Sequence, residues 1–383
     1  MLRKSSILLP TLFHVALCAL PLRAAAQETP GPRPTKPDNL TVYLTGDAAD
    51  SPRQPVGGPA VLLMGGSSEV DAAFATQAYP ILNGGDIVVL RTSGADGYND
   101  YLYDLVSGAL KPNSVETIIP DTVAKANTDY VEWACRSAEM IWFAGGDQSE
   151  YTDNWRGTKL QAAVQEAYNR GAVIGGTSAG MAIMGEFIFA PAGSAPTGQQ
   201  ALANPHASGN TLVAKLINSP LMEDIITDTH FHARDRMGRP LSWMARLRED
   251  GATPRIVAVA GDERASIFIN KDRIGHVLSG AAGRAIFVMW EDDNTQRTQV
   301  TNGQPLVYSN VLRTKLYSGD TFDFNTMTGT KAPIRLSVNG AANPPFNPSD
   351  PYGDGPLPTA TPSPTSTATP EVVMTTQDAF LVN

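Results

Sequence analysis

The residues whose types and spacing could do chemistry begin with Gly176-Thr177-Ser178-Ala179-Gly180. A serine between two near glycines, G-x-S-x-G, is the spacing of a nucleophile elbow when a strand precedes it and a helix follows. The small neighbours let the chain turn sharply, and the following helix start offers free N–H groups to a developing oxyanion. Without chemistry, the same string would be a glycine-rich strand-to-helix turn or an anion-binding loop. A serine nucleophile also needs a base, and a third group to orient that base.

Outside the N-terminal leader, which holds His14, the candidate bases are His206, His230, His232 and His276. His230 lies in the dense polar run Asp228-Thr229-His230-Phe231-His232-Ala233-Arg234-Asp235-Arg236-Met237-Gly238-Arg239, directly after Ile225-Ile226. His206 falls in a loop of Pro, Asn and Gly. His276 sits in an apolar, strand-like run and reads as a packed residue. Glu263, in Gly261-Asp262-Glu263, is a candidate orienting acid and gives the chain order Ser, His, Glu. The rival set Ser178, Asp262, His276 follows the order of an α/β-hydrolase and would make an esterase or amidase. A third reading keeps Ser178 as a relic in a non-catalytic binding protein. Arg234, Arg236 and Arg239 crowd one stretch of a chain with a net charge of -9. Guanidinium groups grip carboxylates bidentately, so they point to an acidic substrate, or else to a salt-bridged turn.

The elements that must position these residues are short apolar runs ending in glycine. Val61-Leu62-Leu63-Met64 ends at Gly65-Gly66, Ile87-Val88-Val89-Leu90 near Ser93-Gly94, Met140-Ile141-Trp142-Phe143 at Gly145-Gly146, and Ala172-Val173-Ile174 at Gly175-Gly176. Uninterrupted apolar runs suit strands buried on both faces. Leu160, Val164, Ala167 and Tyr168 share a helical face, with Gly171 as C-cap. The alternation predicts an α/β fold: a mostly parallel, doubly wound sheet with helices on both faces, whose site lies at the carboxyl ends of the strands. The segment 255–325 reads as further strands extending that sheet with antiparallel edges.

Composition narrows the classes. Hydrophobic residues make up 42% and charged residues 17% of the 383, which suits a globular chain. The acidic balance disfavours a nucleic-acid binder, and 5 His with 2 Cys are too few for a Cys/His zinc framework. No cofactor or metal is expected. Arg3 and Lys4, the apolar run 7–20 and Ala24-Ala25-Ala26 predict a signal peptide over 1–26, hence export to the periplasm or beyond, with no membrane span. A lipoprotein anchored through Cys18 is a lesser alternative. Cys135 then remains alone and reads as an inert core residue. A Pro-rich linker is expected over 27–39, a catalytic domain over 40–340, and a flexible Pro/Thr/Ser-rich tail over 341–371, which carries nine prolines from Pro344 to Pro370. Residues 372–383 form a segment of unknown role.

Three motifs in one order carry a family resemblance: Phe143-Ala144-Gly145-Gly146-Asp147-Gln148, then Gly175-Gly176-Thr177-Ser178-Ala179-Gly180, then Asp228-Thr229-His230-Phe231 with Arg234, Arg236 and Gly238-Arg239. Over roughly 60–325 the chain resembles the cyanophycinase family of serine exopeptidases, peptidase family S51, which is similar in fold to class I glutamine amidotransferases. The resemblance implies Ser178 as nucleophile, His230 as base and Glu263 as triad acid. It implies oxyanion-hole N–H groups from Gly146 and Ala179, and a substrate site lined by Gln148, Asp228, Thr229, Arg234, Arg236 and Arg239. It further implies cyanophycin or another aspartyl peptide as substrate, released as β-Asp-Arg in the first case, and a possible homodimer. Thr229 stands where the cytoplasmic enzymes carry Gln, and Gly65-Gly66-Ser67-Ser68-Glu69 departs from their usual first turn. Together with the signal peptide and the Pro/Thr tail, these departures suggest an exported relative rather than a storage-granule enzyme of the cytoplasm.

Overall fold

The computed structural model describes residues 31–191 and 193–354. The expected signal peptide, Cys18, most of the Pro/Thr-rich tail and the segment 372–383 lie outside these residues.

A ten-stranded sheet forms the frame of the site. Its central strands run in the order Ser114–Ile119, Asp86–Leu90, Met140–Phe143, Val173–Thr177 and Ala60–Met64, all parallel. Every residue of these five strands is buried, as the apolar runs predict for four of them; Ser114–Ile119, which carries Ser114, Glu116 and Thr117, is not an apolar run and is not among the expected strands. Period-two alternation sends their side chains into two separate cores. Val61, Leu63, Val88, Leu90, Ile141 and Phe143 face one; Leu62, Ile87, Val89, Met140 and Trp142 face the other. Helices cover both faces. Lys159–Arg170 buries Leu160, Ala163, Val164, Ala167 and Tyr168, starts at the Thr158 side-chain cap on Gln161 N, and ends at Gly171, whose φ is 107°. A threonine cap of this kind contributes about 1 kcal/mol. On the opposite face, Phe74 packs edge-on against Trp142 with ring centres 4.8 Å apart.

Ala265–Ile269 and Ile274–Ser279 extend this sheet antiparallel, beyond Ala60–Met64. Their neighbours in sequence do not. Val257–Gly261 and Ile286–Trp290 belong to a second, nine-stranded sheet, in which Ile225–Asp228 lies parallel to Val257–Gly261. The reason lies in their two apolar faces. Val257, Val259, Ile286 and Val288 join the core shared with the first sheet, while Ala258, Ala260, Phe287 and Met289 pack with Leu241, Trp243 and Met244 of the helix Gly238–Glu249. An edge position on the first sheet would leave one face uncovered.

Both expected flexible flanks are partly packed. Arg33 pairs with Glu116 and donates to the Tyr130 hydroxyl at 2.7 Å, so the stretch before Leu40 lies along the body. At the other end, Phe346–Asn347 adds a short strand to Ile334–Asn339, and Tyr352 is buried among Phe231 and Phe287. The tail expected from residue 341 therefore gives way to a packed segment through 354. Proline-rich composition forbids regular ladders but not side-chain docking, and one aromatic suffices to anchor the chain. Among the described residues no helix is long and apolar enough to cross a membrane.

Candidate active site

The strand Val173–Thr177 delivers Ser178 at its carboxyl end, and the helix Ala179–Ala182 that follows is a single turn. Ser178 has φ 53° and ψ -117°, a conformation that costs a non-glycine residue about 1–3 kcal/mol. The two glycines around it serve close approach rather than positive φ. A Cβ at Gly180 would lie 1.9 Å from the Phe143 carbonyl oxygen, and one at Gly176 would lie 2.5 Å from Gly180 C. The elbow is thus wedged against the neighbouring strand, and the Ser178 N–H donates to the Met64 carbonyl at 3.1 Å.

Ser178 Oγ lies 2.8 Å from His230 Nε2, and His230 Nδ1 lies 2.7 Å from Glu263 Oε1. A carboxylate can only accept, so it fixes the imidazole proton on Nδ1 and leaves Nε2 to accept from the serine hydroxyl. His230 follows the strand Ile225–Asp228 and itself has φ 48°. Backbone bonds hold it there: its N–H donates to the Gly65 carbonyl at 2.7 Å, and Phe231 N–H to Gly261 at 3.1 Å. Glu263 comes from the turn after Val257–Gly261. Burial holds the His230 pKa below the usual imidazole range; Glu263 pulls it up, and Arg234 and Arg236 push it down. The hydrogen bond to His230 keeps the Glu263 carboxyl below its ordinary range.

The three arginines separate in space. Arg234 is exposed. Arg236 is mostly buried and donates to the Thr229 carbonyl at 2.8 Å and to Thr229 Oγ1 at 3.3 Å; burial lowers its pKa to about 10. Arg239 turns inward, 3% exposed, stacked over Phe189 and Trp243 at 4.5 and 4.9 Å, and paired with Asp228 at 3.0 Å. Asp228 is equally closed off and also accepts from Thr229 N–H at 2.8 Å. Asp228 and Arg239 therefore do not face open space as substrate-lining residues would; they brace the loop from below, because each needs the other's charge once buried. Thr229 is buried too and reaches the site through Arg236.

Gly145 sits opposite the nucleophile: a Cβ there would be 3.6 Å from Ser178 Cβ. Gly146 follows, and the Tyr151 hydroxyl donates to the Ala144 and Gly145 carbonyls at 3.0 and 3.1 Å, fixing the turn. Among the described residues no hydrogen bond engages the N–H groups of Gly146 or Ala179. Gln148 is half-buried at the start of the helix Gln148–Trp155, behind the Asp147 cap.

Two contributors carry no local signature. Gly66, with φ 110°, lets the chain pass against the imidazole; a Cβ there would be 2.4 Å from His230 Cε1. Glu69 accepts from the Tyr98 hydroxyl, and burial pushes its carboxyl up to about 7. It lines a cavity of about 460 Å³ with Ser68, Asp71, Arg264 and Gly280. The rival set does not assemble. The Asp262 carboxylate accepts from His232 N–H at 3.0 Å and Ala285 N–H at 3.2 Å. His276 lies in a sheet between Phe268 and Thr321, and no hydrogen bond among the described residues links either to Ser178. Cys135 is buried, which pushes its thiol up. Among the described residues no group of three or more His, Cys, Asp or Glu is placed to hold a metal.

The model of peptidase family S51 matches residues 105–238. A cyanophycinase of a Nostoc species is 28% identical over 214 residues, which is 56% of this chain and 66% of that protein. A cyanophycinase of Trichormus variabilis is 29% identical with the same coverage, 56% and 66%. The match thus spans just under two thirds of these relatives' own length. The crystal structure of a peptidase from an acI-B1 Actinobacterium aligns at TM-score 0.41 with 14% identity, over 71% of this chain and 99% of that one.

Proposed function

From the match of residues 105–238 to peptidase family S51, we propose that the chain is an exported serine peptidase of that family that hydrolyses aspartyl peptide bonds, with cyanophycin as its substrate. The observation that carries the reading is the continuous relay from Ser178 Oγ to His230 Nε2 at 2.8 Å and from His230 Nδ1 to Glu263 at 2.7 Å.

In this reading His230 takes the proton as Ser178 Oγ attacks the amide carbonyl, and Glu263 stabilises the imidazolium that forms. The oxyanion is received by the N–H groups of Gly146 and Ala179, whose loss would each cost about 2.7–4 kcal/mol of barrier. His230 then protonates the leaving amine. Water, deprotonated by the same imidazole, hydrolyses the acyl-enzyme. A desolvated imidazole that stays neutral near pH 7 suits this base role. Exposed Arg234 and the partly open Arg236 hold free carboxylates of the substrate, which in cyanophycin are those of the arginines carried on the aspartyl β-carboxyls, while Asp228 and Arg239 keep the loop in place. Export rests on the signal-peptide pattern of the sequence over residues 1–26.

The test is release of β-Asp-Arg from insoluble cyanophycin, read by mass spectrometry, with Ser178→Ala alongside. Release by the wild type alone supports the reading. No release of any dipeptide, or equal release by Ser178→Ala, overturns it.

A further inference from the structure

We propose that residues 346–354 form a strap that holds the His230 loop in its working geometry, with Tyr352 as the positioning residue. This rests on the peptidase reading above but concerns a segment that reading does not use.

The loop 230–237 is strained and needs support. His230 and Asp235 both have positive φ, 48° and 47°. Such residues persist only where their surroundings over-determine them. Within the loop itself, the short backbone bonds from Arg234 N–H to the His230 carbonyl and from Asp235 N–H to His232 close turns but do not anchor them. Bonds from outside the loop fix its first half, His230 to Gly65, Phe231 to Gly261 and His232 to Asp262; Tyr352 supplies the outside hold on its second half and packs against the first. Its hydroxyl donates to Asp235 Oδ1 at 2.9 Å and accepts from Met237 N–H at 2.8 Å. Its ring stacks on His232, centres 4.6 Å apart and planes 16° apart, and meets Phe231 edge-on at 5.6 Å. One side chain therefore grips four of the loop's eight residues, on both sides of Arg234 and Arg236.

The strap is itself tied to the second sheet, so the grip has a fixed base. Phe346 pairs with Val338 and Asn347 with Ser337. Lys315 Nζ donates to the Tyr352 carbonyl at 2.9 Å, and Arg313, 1% exposed, donates to the Gly353 carbonyl. Arg313 and Lys315 stand over the Phe287 ring at 5.7 and 5.6 Å, and that ring also packs against Tyr352. Burial and the neighbouring Asp235 keep the phenol protonated, so it remains a donor throughout the working range. Proline at 348 and 351 shortens the menu of strap conformations and lowers the entropy lost on docking.

Tyr352→Phe in the full chain removes the hydroxyl and keeps the ring. Three readouts follow: the rate of fluorophosphonate labelling, the acid limb of its pH profile, and trypsin cleavage after Arg234 and Arg236. The strap predicts labelling slowed by about tenfold, less than the roughly 100-fold that displacing a catalytic group by about 1 Å costs, because Tyr352 acts on the loop and not on the imidazole itself. It predicts that the acid limb moves up toward the ordinary histidine value as the loop admits water around His230, whose other charged neighbours Glu263, Arg234 and Arg236 are unchanged. It predicts faster cleavage at the two arginines with an unchanged far-UV spectrum. Wild-type labelling, pH profile and cleavage in the variant would overturn the strap. If the wild type is not labelled at all but cleavage still rises in Tyr352→Phe, the peptidase reading falls and the strap stands. Absent labelling with unchanged cleavage removes both.

Discussion

Gly66→Ala is a small change that reaches His230 without altering Ser178, His230 or Glu263. A Cβ at residue 66 would lie 2.4 Å from His230 Cε1 and 2.5 Å from Nε2. Carbon atoms in ordinary contact sit about 3.5–4.0 Å apart, so the ring must yield by about 1 Å. The Ser178 Oγ to Nε2 bond is 2.8 Å, and a contact lengthened by that much is no longer a hydrogen bond. Misplacing a catalytic group by about 1 Å costs about 100-fold in rate, or about 2.7 kcal/mol of barrier. A separate cost falls on stability, since φ at residue 66 is 110° and a side chain there is strained by about 1–3 kcal/mol. Gly157→Ala isolates that second cost: its φ is 73° with nothing within 4 Å of the added Cβ. The assay is the second-order rate of fluorophosphonate labelling beside a thermal unfolding scan. Gly66→Ala should label about 100-fold more slowly, whereas Gly157→Ala should lose stability alone. Wild-type labelling by folded Gly66→Ala would refute the claim that the glycine makes room for the imidazole.

The remaining predictions concern charge. Labelling should rise with pH as His230 loses its proton, with the limb below the ordinary imidazole value of about 6.5, because burial lowers the His230 pKa. Glu263→Gln removes a charge that raises that pKa, so its limb moves to lower pH, while Arg234→Ala removes a charge that lowers it, so its limb moves up; shifts in the same direction would contradict the arrangement. Arg239→Met leaves the buried Asp228 with Arg236, at 3.5 Å, as its remaining cation and should cost about 3 kcal/mol in urea unfolding, the lower end for breaking a buried pair, whereas Arg234→Ala should unfold like wild type and raise KM for acidic substrates more than for neutral ones. Similar unfolding midpoints for Arg239→Met and wild type would mean that the buried pair does not brace the loop.

Much of the frame was legible because four of the five central strands bury apolar side chains on both faces and so read as unbroken apolar runs ending where the chain turns; Ser114–Ile119 was not, because it buries Ser114, Glu116 and Thr117. The elbow was legible for a related reason. Only small residues fit where Gly176 and Gly180 touch the Phe143 strand, so packing leaves a short, fixed spacing around Ser178. His230 and Glu263 were recoverable as polar residues just past apolar strands, and the structure brings them to Ser178. The assignment of Val257–Gly261 and Ile286–Trp290 to a second sheet was not legible, since period-two alternation says that two faces are buried but not against what. Arg239 looked like its neighbours Arg234 and Arg236 because the chain does not reveal that Phe189, some fifty positions upstream, waits to stack on it. Gly66 and Tyr352 act through space on His230 and its loop. A turn glycine and a tyrosine in a proline-rich stretch carry no local mark of that.

The central claim is that Ser178 is the nucleophile and that His230 activates it. Peptide mapping by mass spectrometry after fluorophosphonate treatment tests it most directly, on wild type and on His230→Ala. The account predicts one adduct, on Ser178, formed readily in wild type and at least about 10,000-fold more slowly in the variant, the scale of loss that follows damage to a triad member. An adduct on another residue, or equal labelling of Ser178 without His230, would contradict it.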